Sequence, residues 1–440
     1  MKIAAVLGAN VLMLVLGAGL LPPLRLARSW RQLLTRLPLA YAVGLAATGI
    51  LAADLAVVAV PVGWIVLSVL TAASVLVGLW RLPRGEWRRP KIAFTALPSY
   101  AVLAVTVAFV VPFFRLATVK PLYAIDGWAI WGTRARALYL FGHPIPAVFA
   151  NPTYQALQHP LLLPALEALD ARAMGTFDGT LVQLQLVGFA VAFVGGAWGL
   201  LRDRVPALLL AAVLLAAITT PTFIYQLQSN FADVPVAIFI ALGVASLGVW
   251  LRGGGEGLLP AAALFLGAAA LTKNEGEMFA LMAFLAAALV AQHSQLRPLA
   301  LAALAVVAVD LPWRIWLWAH HVKIAEYSLT SLFNPSYLYD HRSRVGPSAH
   351  ELWRQLWRLE AFSFVVPLVL LGLAGALLLR RFRPAAFAGL WLLLSFAGLV
   401  AIYWISTNKV ASHLSNSSDR TIDSIVFGGA LLVPVLLSTE

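Results

Sequence analysis

The sequence predicts an all-α fold: a polytopic transmembrane bundle of about thirteen spans. Three observations predict it. Hydrophobic residues make up 61% of the 440 and charged residues only 11%, whereas soluble domains run at roughly 45–50% and about 25%. The apolar excess comes in blocks near the length of about 20 residues that a helix needs to cross a bilayer. Basic residues fall mainly in the short connections between those blocks. A chain without cysteine has no disulfide, thiolate metal site or Cys nucleophile. The formal net charge of +12 would suit nucleic acid, but its clustering in short loops reads as membrane anchoring, so no nucleic-acid partner is expected.

Taken in order, the candidate spans are 3–21, 38–58, 60–80, 92–114, 179–201, 206–223, 232–251, 258–272, 277–291, 298–318, 361–379, 385–405 and 425–438. The first has no small-residue cleavage site and runs into Leu21-Pro22-Pro23, so it reads as a retained helix. No internal repeat, linker or composition shift marks a second folded unit, and no soluble domain is expected after the last span.

Charge then sets the orientation. The short loops 22–36, 81–91, 202–205, 252–257, 292–297 and 380–384 hold sixteen Lys or Arg, while the longer alternate loops hold thirteen. The first set is expected on the cytoplasmic side of the plasma (inner) membrane and the second on the outer or periplasmic face. Every loop of unusual polar content then falls outside: 115–178, Tyr225 to Phe231, Thr272 to Gly276, 319–360 and 406–424. One face carries the chemistry.

The first large outer loop opens with Asp126-Gly127-Trp128. Trp128, Trp131, Ala135 and Leu138 then follow at helical spacing, with Arg134 and Arg136 off that stripe. This predicts a short amphipathic helix lying in the interface, closed by Gly142 and Pro144. Asp126 stands where an N-cap belongs. A carboxylate there equally suits a general base or a divalent-metal ligand, with His159 as a second ligand. Asp233 precedes Pro235 at the mouth of an apolar helix, where an acid is a functional candidate. Lys273 and Glu275 interrupt an apolar run; an ammonium there suits a phosphate, and a wet hairpin turn would also explain it. Arg420 suits bidentate grip of a phosphate, against a plain solvated loop. Asp310 and Arg314 read as an intrahelical i, i+4 pair. No Walker-type or Rossmann glycine fingerprint is present, which argues against a soluble nucleotide-sugar site.

These pieces together resemble the integral-membrane GT-C glycosyltransferases, the class of the protein O-mannosyltransferases and aminoarabinose transferases. Asp126-Gly127-Trp128 with its basic helix, HPLLLP at 159–164, ADVP at 232–235, LTKNEG at 271–276 and HLSNSSDR at 413–420 keep that family's order over roughly 92–425. The resemblance implies a catalytic unit at 92–440. It implies a polyprenyl-phosphate sugar donor, a glycan, lipid or protein acceptor, and transfer with inversion on the outer face. Asp126 matches the family's first-loop catalytic acid, and Lys273 the polar turn near the donor phosphate. The substrate-binding residues expected beside them are Arg134, His159, Asp233, Glu275 and Arg420. Residues 1–91 lie outside the resemblance, and Asp126 lacks the acidic neighbour of an Asp-x-Asp pair, which leaves a divalent metal as an open expectation. The alternative is a transporter or flippase for lipid-linked sugars, which should show internal repeats and broken helices at mid-membrane.

Overall fold

A computed structural model describes residues 1–82, 96–154, 156–322 and 327–438. Past Leu82, the basic connection expected at 81–91 lies outside the described residues, as do residues 92–95 of the fourth window and 323–326 of a long loop. Within the described residues the chain is helical and forms no strand; a lone antiparallel bridge joins Tyr327 and Ser406.

Each of the thirteen apolar windows holds a helix. Eight of these helices are long and apolar enough to cross a membrane, or nine if Ala207–Ile218 and Pro221–Leu227, bent by 62°, count as one span. The remaining windows hold helices of 12 to 17 residues. Length therefore supports fewer crossings than the hydropathy pattern predicts.

The Asp233–Leu251 helix is the axis of the bundle. It is apolar on every side after its first residue, and such a helix must be surrounded. Its apolar window is 94% buried, against Leu184–Leu201, Leu258–Ala270, Asn274–Val290 and Asp423–Leu436. The Leu37–Val57 helix is a second interior element, packed on Lys2–Leu20, Leu184–Leu201 and Leu162–Met174. The helices before residue 91 thus share one core with the rest. Lys2–Leu20 meets Leu37–Val57 backbone to backbone. A Cβ on Gly17 would lie 1.8 Å from the Ala40 carbonyl oxygen, and one on Gly44 would lie 1.8 Å from that of Met13. Small residues at crossings are what let membrane helices approach so closely. The periphery stays apolar: Ile65, Trp80, Trp318 and Leu378 are mostly exposed, as a lipid-facing surface requires.

The loops separate into two ends. At one end Lys2 reaches Asp178 at 2.9 Å, Leu162 donates its backbone N–H to the Leu271 carbonyl, and Arg344 donates to the Ser406 carbonyl. At the other, Arg25 and Arg28 pair with Glu256, and Arg252 binds the Val435 carbonyl at 2.8 Å. The polar loops gather at the first end and the basic anchors at the second, as the charge pattern predicts.

Candidate functional site

Asp126 begins a π-helical turn, Asp126–Gly132, which passes into the Thr133–Phe141 helix. Single π turns are rare and recur at functional sites. The turn is pressed against another loop: a Cβ on Gly127 would sit 2.3 Å from the Ser229 carbonyl oxygen, so only glycine fits. The capping role open at the sequence level is not taken up, because the turn has no side-chain cap bond. The Asp126 carboxylate instead accepts a hydrogen bond from Arg420 Nη1 at 2.7 Å, with the Asp126 side chain 33% exposed.

Arg420 comes from the Val410–Thr421 helix, which corrects the solvated-loop reading of that stretch. Its second nitrogen donates to the Asn416 carbonyl at 2.8 Å, and its guanidinium lies 4.4 Å from the Phe231 ring centroid. The same Nη1 is 4.0 Å from Asp233. Burial alone would lower the pKa of Arg420, but Asp233 and Asp126 outweigh it and raise the pKa above the ordinary value.

Asp233 starts the axial helix, where a carboxylate meets the positive end of the helix dipole. Lys273 Nζ donates to it at 2.7 Å and lies 3.1 Å from Glu275. Lys273 stands in the tight connection between Leu258–Ala270 and Asn274–Val290. That connection is buried, which corrects the reading of a wet turn: Thr272, Lys273 and Asn274 are at most 8% exposed. Burial alone would lower the pKa of Lys273, but Asp233 and Glu275 outweigh it and raise the pKa above the ordinary value, so the ammonium stays charged. One chain of contacts results: Asp126, Arg420, Asp233, Lys273, Glu275.

His159 and Arg134 stand beside this chain. His159 stacks on Trp131 at 5.4 Å between ring centroids. Burial, then the charges of Lys273, Arg134, Arg314 and Arg420, lower its pKa well below the ordinary value, so the ring is neutral. Arg134 is 3% exposed and donates to the Leu157 and His159 carbonyls, beneath the rings of Phe149 and Trp313. It holds the 157–159 segment through Nη2, its Nε and Nη1 are buried without a protein partner, and it lies inside the buried face from which the spacing argument had excluded it.

Other side chains complete the site. Tyr403 hydrogen-bonds Ser417 at 2.9 Å and Thr421 at 3.2 Å, holding the helix that carries Arg420. His413 packs on the Tyr403 ring and hydrogen-bonds Ser406. Its pKa is lowered by burial, then raised by Glu275 and lowered by Lys273, for a net fall. Arg314 binds Asp310 at 2.7 Å, as spacing predicts, and reaches Asn274 at 3.2 Å and Glu277, tying the span to the Lys273 connection. Asp54, alone in its span, is near enough for its charge to act on Asp310. The position of Tyr403 in an apolar span gave no sign of its role.

A resident divalent ion does not fit this donor set. The carboxylates of Asp126 and Asp233 are occupied by Arg420 and Lys273. Among the described residues no group of three or more His, Asp or Glu side chains is placed to hold a metal ion. No protein-family model matches the chain, and no curated protein matches it either.

Proposed function

We propose that the chain is a membrane glycosyltransferase of the GT-C type. It moves a sugar from a polyprenyl-phosphate donor to a hydroxyl acceptor on a glycan, lipid or protein, with inversion, at the outer face of the plasma membrane. The observation that carries this reading is the contact chain from Asp126 to Glu275. It joins side chains up to 294 residues apart at one end of an apolar bundle. Fixed cations beside a partly exposed carboxylate at one end of an apolar bundle are what a lipid phosphate and a hydroxyl nucleophile both need.

The reaction follows from those groups. The donor phosphate takes Arg420, which frees the Asp126 carboxylate. The acceptor oxygen forms a bond to the anomeric carbon as Asp126 takes its proton. The bond from that carbon to the phosphate oxygen breaks, and its electron pair leaves with the phosphate. Arg420 and Lys273 offset the charge that grows there. His159, being neutral and with Nδ1 buried without a protein partner, would hydrogen-bond a substrate without adding charge. The thirteen crossings belong to the same proposal: the eight long helices, the bent pair, and the shorter apolar helices, which neighbouring protein shields from lipid.

The bent pair Ala207–Ile218 and Pro221–Leu227 favours a second reading, a carrier of lipid-linked sugars, because broken helices are a carrier feature. One experiment separates them. Purified protein in liposomes is given polyprenyl-phosphate sugars and an acceptor, and sugar transfer is compared with the Asp126→Asn variant. The proposal expects a folded variant with transfer down by about a hundredfold or more. Near-normal transfer by that variant removes Asp126 as the base, and lipid translocation without transfer by the wild type favours the carrier.

A further inference from the structure

We infer that the end of the bundle opposite Asp126 carries a second site, one that binds the phosphate group of an anionic lipid. The inference does not rest on sugar transfer. Two crevices open there on either side of the turn at 202–206. One, of about 770 Å³, lies where the Trp30–Thr35 helix faces the start of Leu97–Ala117 and the end of Leu184–Leu201. The other, of about 640 Å³, lies between that turn and the loop after Leu251. Both volumes fall within the roughly 300–1,000 Å³ of small-ligand sites. Arg202 and Asp203 line both.

Among the described residues, guanidinium groups outnumber carboxylates along these crevices. Arg31 and Arg202 line the first; Arg202 and Arg204 line the second, beside Arg252, which is held by Val435 and Ser438; among the described residues Asp203 is the one carboxylate that lines either. Asp203 is a poor partner. It is 55% exposed and reaches Arg202 only at 3.6 Å. Arg36 adds a further guanidinium close by, and its Nε is buried without a hydrogen-bond partner. Burial lowers the pKa of Arg36; Asp203 opposes this and Arg202 reinforces it. Arg204 is lowered to about 10 by burial first and by Arg36 next. Guanidinium groups crowded in this way repel one another, and a phosphate accepting from several of them would relieve that cost.

The surroundings select a lipid as the source of the phosphate. The rings of Tyr100 and Trp198 meet edge to face at 5.6 Å within the first crevice, and both are residue types enriched at headgroup depth. Exposed Leu34, Leu97 and Leu208 at the same end provide apolar surface for acyl chains. Basic pockets between transmembrane helices are established headgroup sites in general.

The test uses the full chain in nanodiscs of phosphatidylcholine with a minor share of phosphatidylglycerol, followed by native mass spectrometry of retained lipid. The wild type should retain phosphatidylglycerol. At about 1 kcal/mol per guanidinium, Arg202→Gln with Arg204→Gln should weaken retention about thirtyfold. Arg31→Gln, at an exposed position, should weaken it about fivefold. Arg25→Gln with Arg28→Gln, at the same end but paired with Glu256, should leave retention unchanged. If that control loses as much as the crevice variants, or if the crevice variants retain lipid normally, the inference is overturned. Inorganic phosphate added alone provides the second arm. Thermal protection by phosphate without lipid retention would keep the phosphate chemistry and overturn the lipid source.

Discussion

At the residue scale, Lys273 has a structural role apart from the one proposed for it in binding a donor, and that structural role is large. Asp233 is 3% exposed, and Lys273 supplies its closest cation. Removing one partner of a buried ion pair leaves an uncompensated charge, at a cost of about 3–5 kcal/mol. Lys273→Ala should therefore melt far below the wild type in detergent, and Lys273→Ala with Asp233→Ala should recover most of the loss. If the single variant melts normally, the pair is not buried in solution. Loss of donor use by Lys273→Ala is interpretable only beside that measurement. The candidates at Asp126, Asp233, Lys273 and Arg420 were legible because each is a charge in or beside a polar loop between apolar blocks. Their pairing was not, since Asp126 and Arg420 lie 294 residues apart. Arg134 was misread for a local reason. The stripe beside it is buried as spacing predicts at Trp131, Ala135 and Leu138, but the buried face is wider and takes in Arg134 and Ala137 as well.

At the scale of elements, apolar length and turn residues located a helix in each of the thirteen windows, but not the helices between them. The Leu162–Met174 helix shows what hydropathy leaves out. It falls in the long loop at 115–178, yet Glu167 and Asp170 on it are fully buried. Nothing in LLPALEALDARAM says that the acidic side faces protein, because that depends on the helices packed around it. Burial raises Glu167 to about 8, with the Asn230 side chain acting the other way. Burial and then Glu167 raise Asp170 well above the carboxylate range. A carboxyl whose folded pKa is raised favours the folded state below its ordinary pKa, and that contribution is lost as pH rises through the folded value. For Glu167 the window runs from the ordinary carboxyl range to about 8. The Tm of Glu167→Gln should therefore exceed that of the wild type at the top of this window, with the gap closing toward its acid end. A constant gap across the window would mean that Glu167 is not buried in its neutral form.

At the scale of the whole molecule, the two ends differ in kind. One gathers the buried ion pairs around Asp126 and Lys273, and the other the arginine anchors at 25, 28, 202 and 252. The geometry establishes that they are opposite ends; which one faces outward follows from the Lys/Arg bias alone. That bias makes a direct prediction, because the chain has no native cysteine to confuse a labelling assay. Ser336 is exposed at the ion-pair end, in the Pro335–Asp340 helix. Ser294 is exposed at the arginine end, in the first turn of His293–Ala319. Each serine can become cysteine with little change in shape. In intact cells, an impermeant thiol reagent should modify Ser336→Cys and spare Ser294→Cys until the membrane is opened. The reverse pattern would put the ion pairs on the cytoplasmic side. A prenyl-linked sugar presented at the outer face would then never meet Arg420, and the proposed transfer would fail even with the site geometry intact.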